Sequence, residues 1–244
     1  MNTTLLRRAA LGAALGLAPL AAFAQAAAGA PTVSASASVD SLVLLGMIPF
    51  LPAVLLLMSG FTRIVISLSL LRQALGLQTS PPNTVIIGLS LMLTALAMGP
   101  QLTQIKAQAW EPWREGKLDT VSAIEASTEP LRGFMLRQTR PTDLALIAKY
   151  SSSAKDGRFE SPEAIPTAEL ATAFTLSELK TGFEIGLAIF IPFVLIDLLV
   201  ASILMSLGMM MLSPVMISLP IKLLVFVLAD GWTLIAASLM ASFR

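Results

Sequence analysis

The chain has 244 residues, of which 55% are hydrophobic and only 13% charged, with a mean hydropathy of +0.80. A soluble domain carries about 25% charged residues, so this is a membrane-class composition with room for several spans. Cys and His are both absent and the net charge is +1, which excludes disulfides, Ser-His and Cys-His catalysis and imidazole metal sites, and gives no reason to expect nucleic acid.

Residues 1–24 read as a signal peptide. "MNTTLLRR" is a basic start, Ala9 to Phe23 is a short apolar core, and Ala22 and Ala24 put small residues at the −3 and −1 positions of a cleavage before Gln25. Residues 25–41, opening with "QAAAGAPTVSASAS", form a flexible small-residue linker. Residues 42–100 form a first apolar hairpin whose only charges are Arg63 and Arg72. The turn signal "QTSPPN" divides it into helical arms over 42–75 and 84–100, and Pro49 and Pro52 interrupt the first.

Residues 101–181 are polar. The stretch from Gln101 to Leu179 holds nine of the 16 Lys/Arg and 11 of the 15 Asp/Glu. Its pattern is mostly helical. Pro141 separates two short helices, "SSSAKDGRFESPEAIP" is a loop, and Thr175 with Glu178 form a capping-box pattern that would start the next long helix. Residues 182–244 form a second apolar hairpin, broken at "SPVMISLP". The fold class is therefore all-α: membrane-class hairpins around a helical polar insert. A signal peptide that exports the N-terminus would leave Arg63 and Arg72 on the cytoplasmic side and the polar insert in the periplasm, with Lys222 marking the inner turn of the second hairpin.

Asp197 sits close to the centre of an apolar arm, where an acid costs roughly 2.5–3.5 kcal/mol unless paired or wetted. It is either a functional charge or an acid made harmless by a local hydrogen bond. Lys222 is its obvious partner by charge, with snorkelling to the interface as the alternative. With the break placed at Ser213 and the last arm at Pro220, Asp197 lies roughly 24 Å from the turn at 1.5 Å per residue. The two then cannot meet within one hairpin and would pair only between subunits. Glu178 and Glu184 read as helix-start acids, and Gly182 and Gly186 in "GFEIG" as a weak small-xxx-small pattern. Met209, Met210 and Met211 cannot all face one side of a helix, because successive residues turn by about 100°. They are core filler or a deformable seal, since Met adapts to irregular surfaces.

The strings "SGFTRIVISLSLLRQALGLQTSPPNTVIIGL", "PLRGFMLRQTRPTDLALIAK" and the whole run from "SELKTGFEIG" to "LMASF" resemble the FliP family, the export-gate membrane proteins of flagellar type III secretion. The resemblance implies a homo-oligomer, a pentamer, that joins FliQ and FliR in a channel entrance. It meets the flagellar rod and other export proteins in the basal body and passes unfolded flagellar proteins across the bacterial inner membrane. It further implies a methionine constriction at Met209, Met210 and Met211, intersubunit charged contacts at Glu178, Asp197 and Lys222, and subunit packing at Phe134. No enzyme activity, cofactor or metal is implied. The rival readings are an ion or proton transporter using Asp197 and Lys222, and a scaffold without a pore.

Overall fold

A computed structural model describes Gly46, Pro49 and residues 51–209 and 212–243. The signal peptide over 1–24, the linker over 25–41, most of 42–50, and Met210 and Met211 lie outside the described residues. Among those described there is no strand, only an isolated bridge between Lys155 and Arg158, so the chain is all-α.

Helix α1 (Leu51–Leu57) ends at a short break, where the Ser59 hydroxyl donates to the Leu56 carbonyl at 2.8 Å. Helix α2 (Phe61–Ala74) buries Arg63, Ile64, Ser67, Leu68, Leu71 and Ala74. That spacing of three and four residues draws one stripe along a 3.6-residue helix. After the turn containing Gly76, helix α3 (Asn83–Ala97) starts behind Pro81 and Pro82. It buries Ile86, Ser90 and Thr94 four residues apart, and both hydroxyls bond back to carbonyls one turn earlier, at 2.7 and 2.6 Å. At Met98 the path bends by 64° into α4 (Gly99–Ile105), a π-helical turn (Lys106–Trp110) and α5 (Glu111–Arg114).

The polar region continues with α6 (Thr120–Gln138), capped by Asp119, whose carboxylate accepts from the Val121 amide at 3.2 Å. Pro141 opens α7 (Pro141–Ala148) at its first position, where a missing N–H costs nothing. The following loop carries a 3₁₀ turn at Pro162–Ala164. Helix α8 (Thr167–Ser206) then runs for 40 residues, and α9 (Pro214–Leu228) and α10 (Gly231–Ala241) complete the chain with a 65° bend between them.

Two expectations are corrected here. Helix α8 starts at Thr167, behind Pro166, so Thr175 and Glu178 lie well inside it and form no capping box. The Thr175 hydroxyl instead bonds back to the Ala171 carbonyl at 2.8 Å. The second hairpin also turns elsewhere than "SPVMISLP" implied. Helix α8 stops at Ser206, α9 begins at Pro214, and Pro220 sits inside α9. The break therefore occupies 207–213.

Two apolar cores follow. Ile64, Leu68, Leu71, Phe193, Phe226 and Leu239 belong to the first. Met58, Met98, Phe134, Met135, Leu170 and Phe174 belong to the second. Phe243 packs against both. Helices α2 and α8 approach closely because α8 carries Gly182 and Gly186 at the crossing. A Cβ on Gly182 would sit 3.2 Å from the Arg63 carbonyl and 3.3 Å from its Cα, and one on Gly186 would collide with Leu70. Ser67 uses the closeness, donating to the carbonyls of Arg63 at 2.9 Å and Gly182 at 3.2 Å. The small-xxx-small pattern is thus a contact within the chain. Among the described residues one helix, α8, is long and apolar enough to cross a membrane by itself. Helix α3 with α4–α5, and α9 with α10, qualify as bent pairs.

Candidate functional site

The turn of the second hairpin is built by a glycine. At the end of α8 the Gly208 amide donates to the Met205 carbonyl at 3.0 Å, and the Met209 amide to the Leu204 carbonyl at 3.0 Å. Gly208 has φ +73°, the left-handed conformation that a residue with a Cβ adopts at a cost. This is a Schellman stop: it satisfies the last carbonyls and turns the chain out of the helix. Met209 follows directly and is 41% exposed. Leu207, Leu212, Val215 and Met216 are exposed around it, Met216 by 76%. Residues 203–221 hold no charge. The hairpin tip thus presents thioether and aliphatic groups outward in the single chain. Of the methionine run, Met210 and Met211 lie outside the described residues.

Asp197 and Lys222 meet inside this hairpin. Asp197 lies nine residues before the end of α8 and Lys222 eight residues after the start of α9, so both stand about 12–14 Å from the turn at 1.5 Å per residue. Lys222 Nζ donates to Asp197 Oδ2 at 2.6 Å and to the Ala74 carbonyl at 3.0 Å. The geometric objection to an intrachain pair is therefore wrong. It assumed that Pro220 precedes the last arm, and Pro220 is inside it. Lys222 is 5% exposed and Asp197 39%, so the cation is the buried partner. It does not snorkel; its ammonium is tied to a carbonyl at the end of α2.

Glu178 carries a second pair. Arg63 Nε donates to Glu178 Oε2 at 3.0 Å, and Nη2 donates to Oε1, a bidentate fork. The same guanidinium donates to Gln138 Oε1 at 3.1 Å, to the Ser242 carbonyl at 2.7 Å and to Ser242 Oγ at 3.0 Å, and lies 4.2 Å over the Phe243 ring. Both partners of the ion pair are buried. This one cation ties together α2, α6, α8 and the end of α10, and losing either member of such a pair costs about 3–5 kcal/mol. Sequence reasoning placed Arg63 as a marker of the cytoplasmic side and missed this role. The available signal was a lone Arg in an apolar run, which calls for a buried acid elsewhere. Phe134, also buried, packs edge-on against Phe174 at 5.7 Å and stacks with Phe243 at 6.4 Å. It supports the same junction.

A third cluster fixes the polar region to α8. Ser177 Oγ accepts from the Arg140 amide at 3.0 Å and donates to Asp143 Oδ2 at 2.8 Å, and Lys180 donates to Asp143 Oδ1. Burial pushes the Asp143 carboxyl up, but the bonds from Lys180 and Ser177 and the charges of Lys180 and Arg140 outweigh it and hold it below the usual Asp range. Arg140 reaches on to Glu184 at 2.5 and 2.8 Å. Glu184 is accordingly the acid half of an interhelix pair.

Among the described residues no group of three or more His, Cys, Asp or Glu converges that could hold a metal ion. The charges staple helices together, and the apolar tip is left free. A model of the FliP family matches residues 44–239, which covers the hairpins, the ion pairs and the tip. The chain belongs to the FliP family. It is 53% identical over 206 residues to the flagellar biosynthetic protein FliP of Pectobacterium carotovorum subsp. carotovorum, covering 84% of this chain and 79% of that protein. It is 50% identical over 208 residues to the protein of that name in Bacillus subtilis (strain 168), covering 85% and 93%. It is 42% identical over 248 residues to that of Caulobacter vibrioides, covering 98% and 92%. The resemblance read from the hairpin strings is thus borne out. Membership of the FliP family points to a membrane-associated place at the flagellar basal body.

Proposed function

We propose that this FliP-family chain is an export-gate subunit of the flagellar type III secretion apparatus, working in the membrane at the basal body and passing unfolded flagellar proteins during flagellum assembly. The observation that carries the reading is the uncharged hairpin tip, where a Schellman glycine turns Met209 outward at the end of a 40-residue helix. In a ring of such tips, Met209, Met210 and Met211 form the constriction. Thioether side chains repack around varied cargo and close behind it, which branched side chains do badly. The ring is a homopentamer joined by FliQ and FliR, in contact with the rod and the other export proteins. The subunit is multi-pass in the inner membrane, with its polar region periplasmic. Asp197 and Lys222 act at the subunit contact through the hairpin geometry that they set. Glu178 and Phe134 act there through the Arg63 junction. The alternative, an ion transporter relaying through Asp197 and Lys222, is not supported by the relatives named above, and its two groups are paired with one another at 2.6 Å.

The test is the triple substitution Met209→Ala, Met210→Ala, Met211→Ala. In a packed core each change would cost about 2–5 kcal/mol and abolish assembly. At a lumen the complex assembles but leaks small ions at rest, and replacement of the run by Leu keeps the seal and slows export. Native gels, resting conductance and secreted flagellar protein are measured together. A triple-Ala protein that assembles, stays tight and secretes normally would falsify the constriction.

A further inference from the structure

The crevice between α2, α3 and the start of α10 takes no part in the tip or in the three ionic clusters. It encloses about 220 Å³, and its walls are apolar, among them Leu68, Leu75, Val85 and Leu89, with Trp232 at its side. Arg72 is its single charged lining residue. Arg72 lies in the last turn of α2 and donates through Nη1 to the Pro81 carbonyl at 3.2 Å and to Asn83 Oδ1 at 2.6 Å. Both acceptors are neutral. Among the described residues the guanidinium therefore has no carboxylate against it, and its Nε and Nη2 donors remain for another group.

We propose that this crevice binds an anionic phospholipid, with the upper segment of an acyl chain between the apolar walls and the phosphate on the unused donors of Arg72. Its occupant must be apolar along one side and anionic at one end. Arg72, Leu75 and Pro81 line the crevice beside the turn between α2 and α3, the polar end of an apolar hairpin, which is where headgroups lie if the hairpin is embedded. Trp232, 46% exposed and held edge-on by Phe226 at 5.4 Å, has the amphipathic ring that favours that depth. The outer face of α3, with Ile87, Leu91 and Met92 exposed, continues the same apolar surface. A basic pocket between apolar helices is a known way to hold an acidic headgroup. The inference rests on the membrane setting of the proposed function and is independent of the methionine constriction.

The experiment uses the full-length chain, as its homo-oligomer without other subunits, carrying Trp110→Phe and Trp113→Phe, so that Trp232 is the sole indole. It is reconstituted in phosphatidylcholine vesicles doped with brominated phosphatidylglycerol or brominated phosphatidylcholine. The expected result is quenching of Trp232 at about fivefold lower content of the anionic lipid, the ratio that one basic residue near an anionic surface supplies. Arg72→Gln should remove the preference and Arg72→Lys should keep it. Equal quenching by both lipids, or a preference that survives Arg72→Gln, overturns the proposal. If Arg72→Gln does not assemble, Val85→Phe decides: it fills the crevice with Arg72 intact, and an unchanged preference overturns the proposal. Absence of quenching by either lipid also overturns it and gives the crevice to a neighbouring copy. Secretion measured on the same variants reports separately on the export reading.

Discussion

Replacing Asp197 by Ala leaves the Lys222 ammonium, 5% exposed, with the Ala74 carbonyl at 3.0 Å as its recorded acceptor. A buried charge stripped of its counter-ion costs about 3–5 kcal/mol. Replacing Lys222 by Met keeps the volume of the stem and leaves behind an acid that is 39% exposed, whose Oδ2 loses its partner while the buried Oδ1 stays unpaired as in the parent. With the pair screened on that side, the loss is about 1 kcal/mol. Asp197→Ala should therefore be the worse change by about 2 kcal/mol or more, which at this chain length is about 4–8 °C in Tm. Thermal unfolding of the detergent-extracted protein reads this, with native gels to follow assembly. The exchange Asp197→Lys with Lys222→Asp should not rescue, because it sets a carboxylate beside the Ala74 carbonyl. Lys222→Met as damaging as Asp197→Ala would refute the reasoning. So would recovery of assembly on co-expressing the two single variants, because mixing subunits restores a pair between chains and never one within a chain.

At the crossing of α2 and α8, Gly186→Ala should lower stability by about 1–3 kcal/mol from overpacking against Leu70, less about 1 kcal/mol that Ala gains over Gly in a helix. Gly88→Ala in α3, with nothing within 4 Å of the added methyl, should show the gain alone. Paired melting curves test this, and Gly186→Ala melting above the parent would contradict the close approach. Asp143 gives a pH signature. Its folded pKa lies below the unfolded value of about 3.9, so its contribution is fully present above that value and is lost as pH falls through the folded pKa. Asp143→Asn should lower stability near neutrality and flatten the loss below about pH 4, measured by unfolding between pH 3 and 7. An acid limb that is the same in both proteins would remove Asp143 from the account.

Helix content was legible because hydropathy and proline placement are local signals: Pro141 does separate α6 from α7, although α6 is not short, and "QTSPPN" does separate α2 from α3. The errors share one cause, local signals that tertiary packing overrides. Thr175 and Glu178 match a capping box, yet Glu178 is committed to an Arg 115 residues away, and no short window contains that partner. Pro220 looks like a breaker, yet it lies within α9, and this displacement of the turn reversed the conclusion about Asp197 and Lys222. The outward-facing methionine and the glycine before it were in plain view, since a Gly after the last apolar turn of a helix is a stop signal by itself. Arg63 was visible as a residue and invisible as a junction, because its five donors are spent on three other segments of the chain.

Helix α8 joins the two halves of the molecule without a break. Forty residues at 1.5 Å each make a rod about 60 Å long, twice the thickness of a hydrocarbon layer. Its first half is stapled to α7 through Ser177 and Lys180 and to α2 through Glu178. Its far end is the Gly208 stop that aims Met209. A rod held in this way sets the distance between the stapled half and the hairpin tip. Pro192, which lacks the amide that would bond one turn back, is the point in its apolar half where the rod yields to bending.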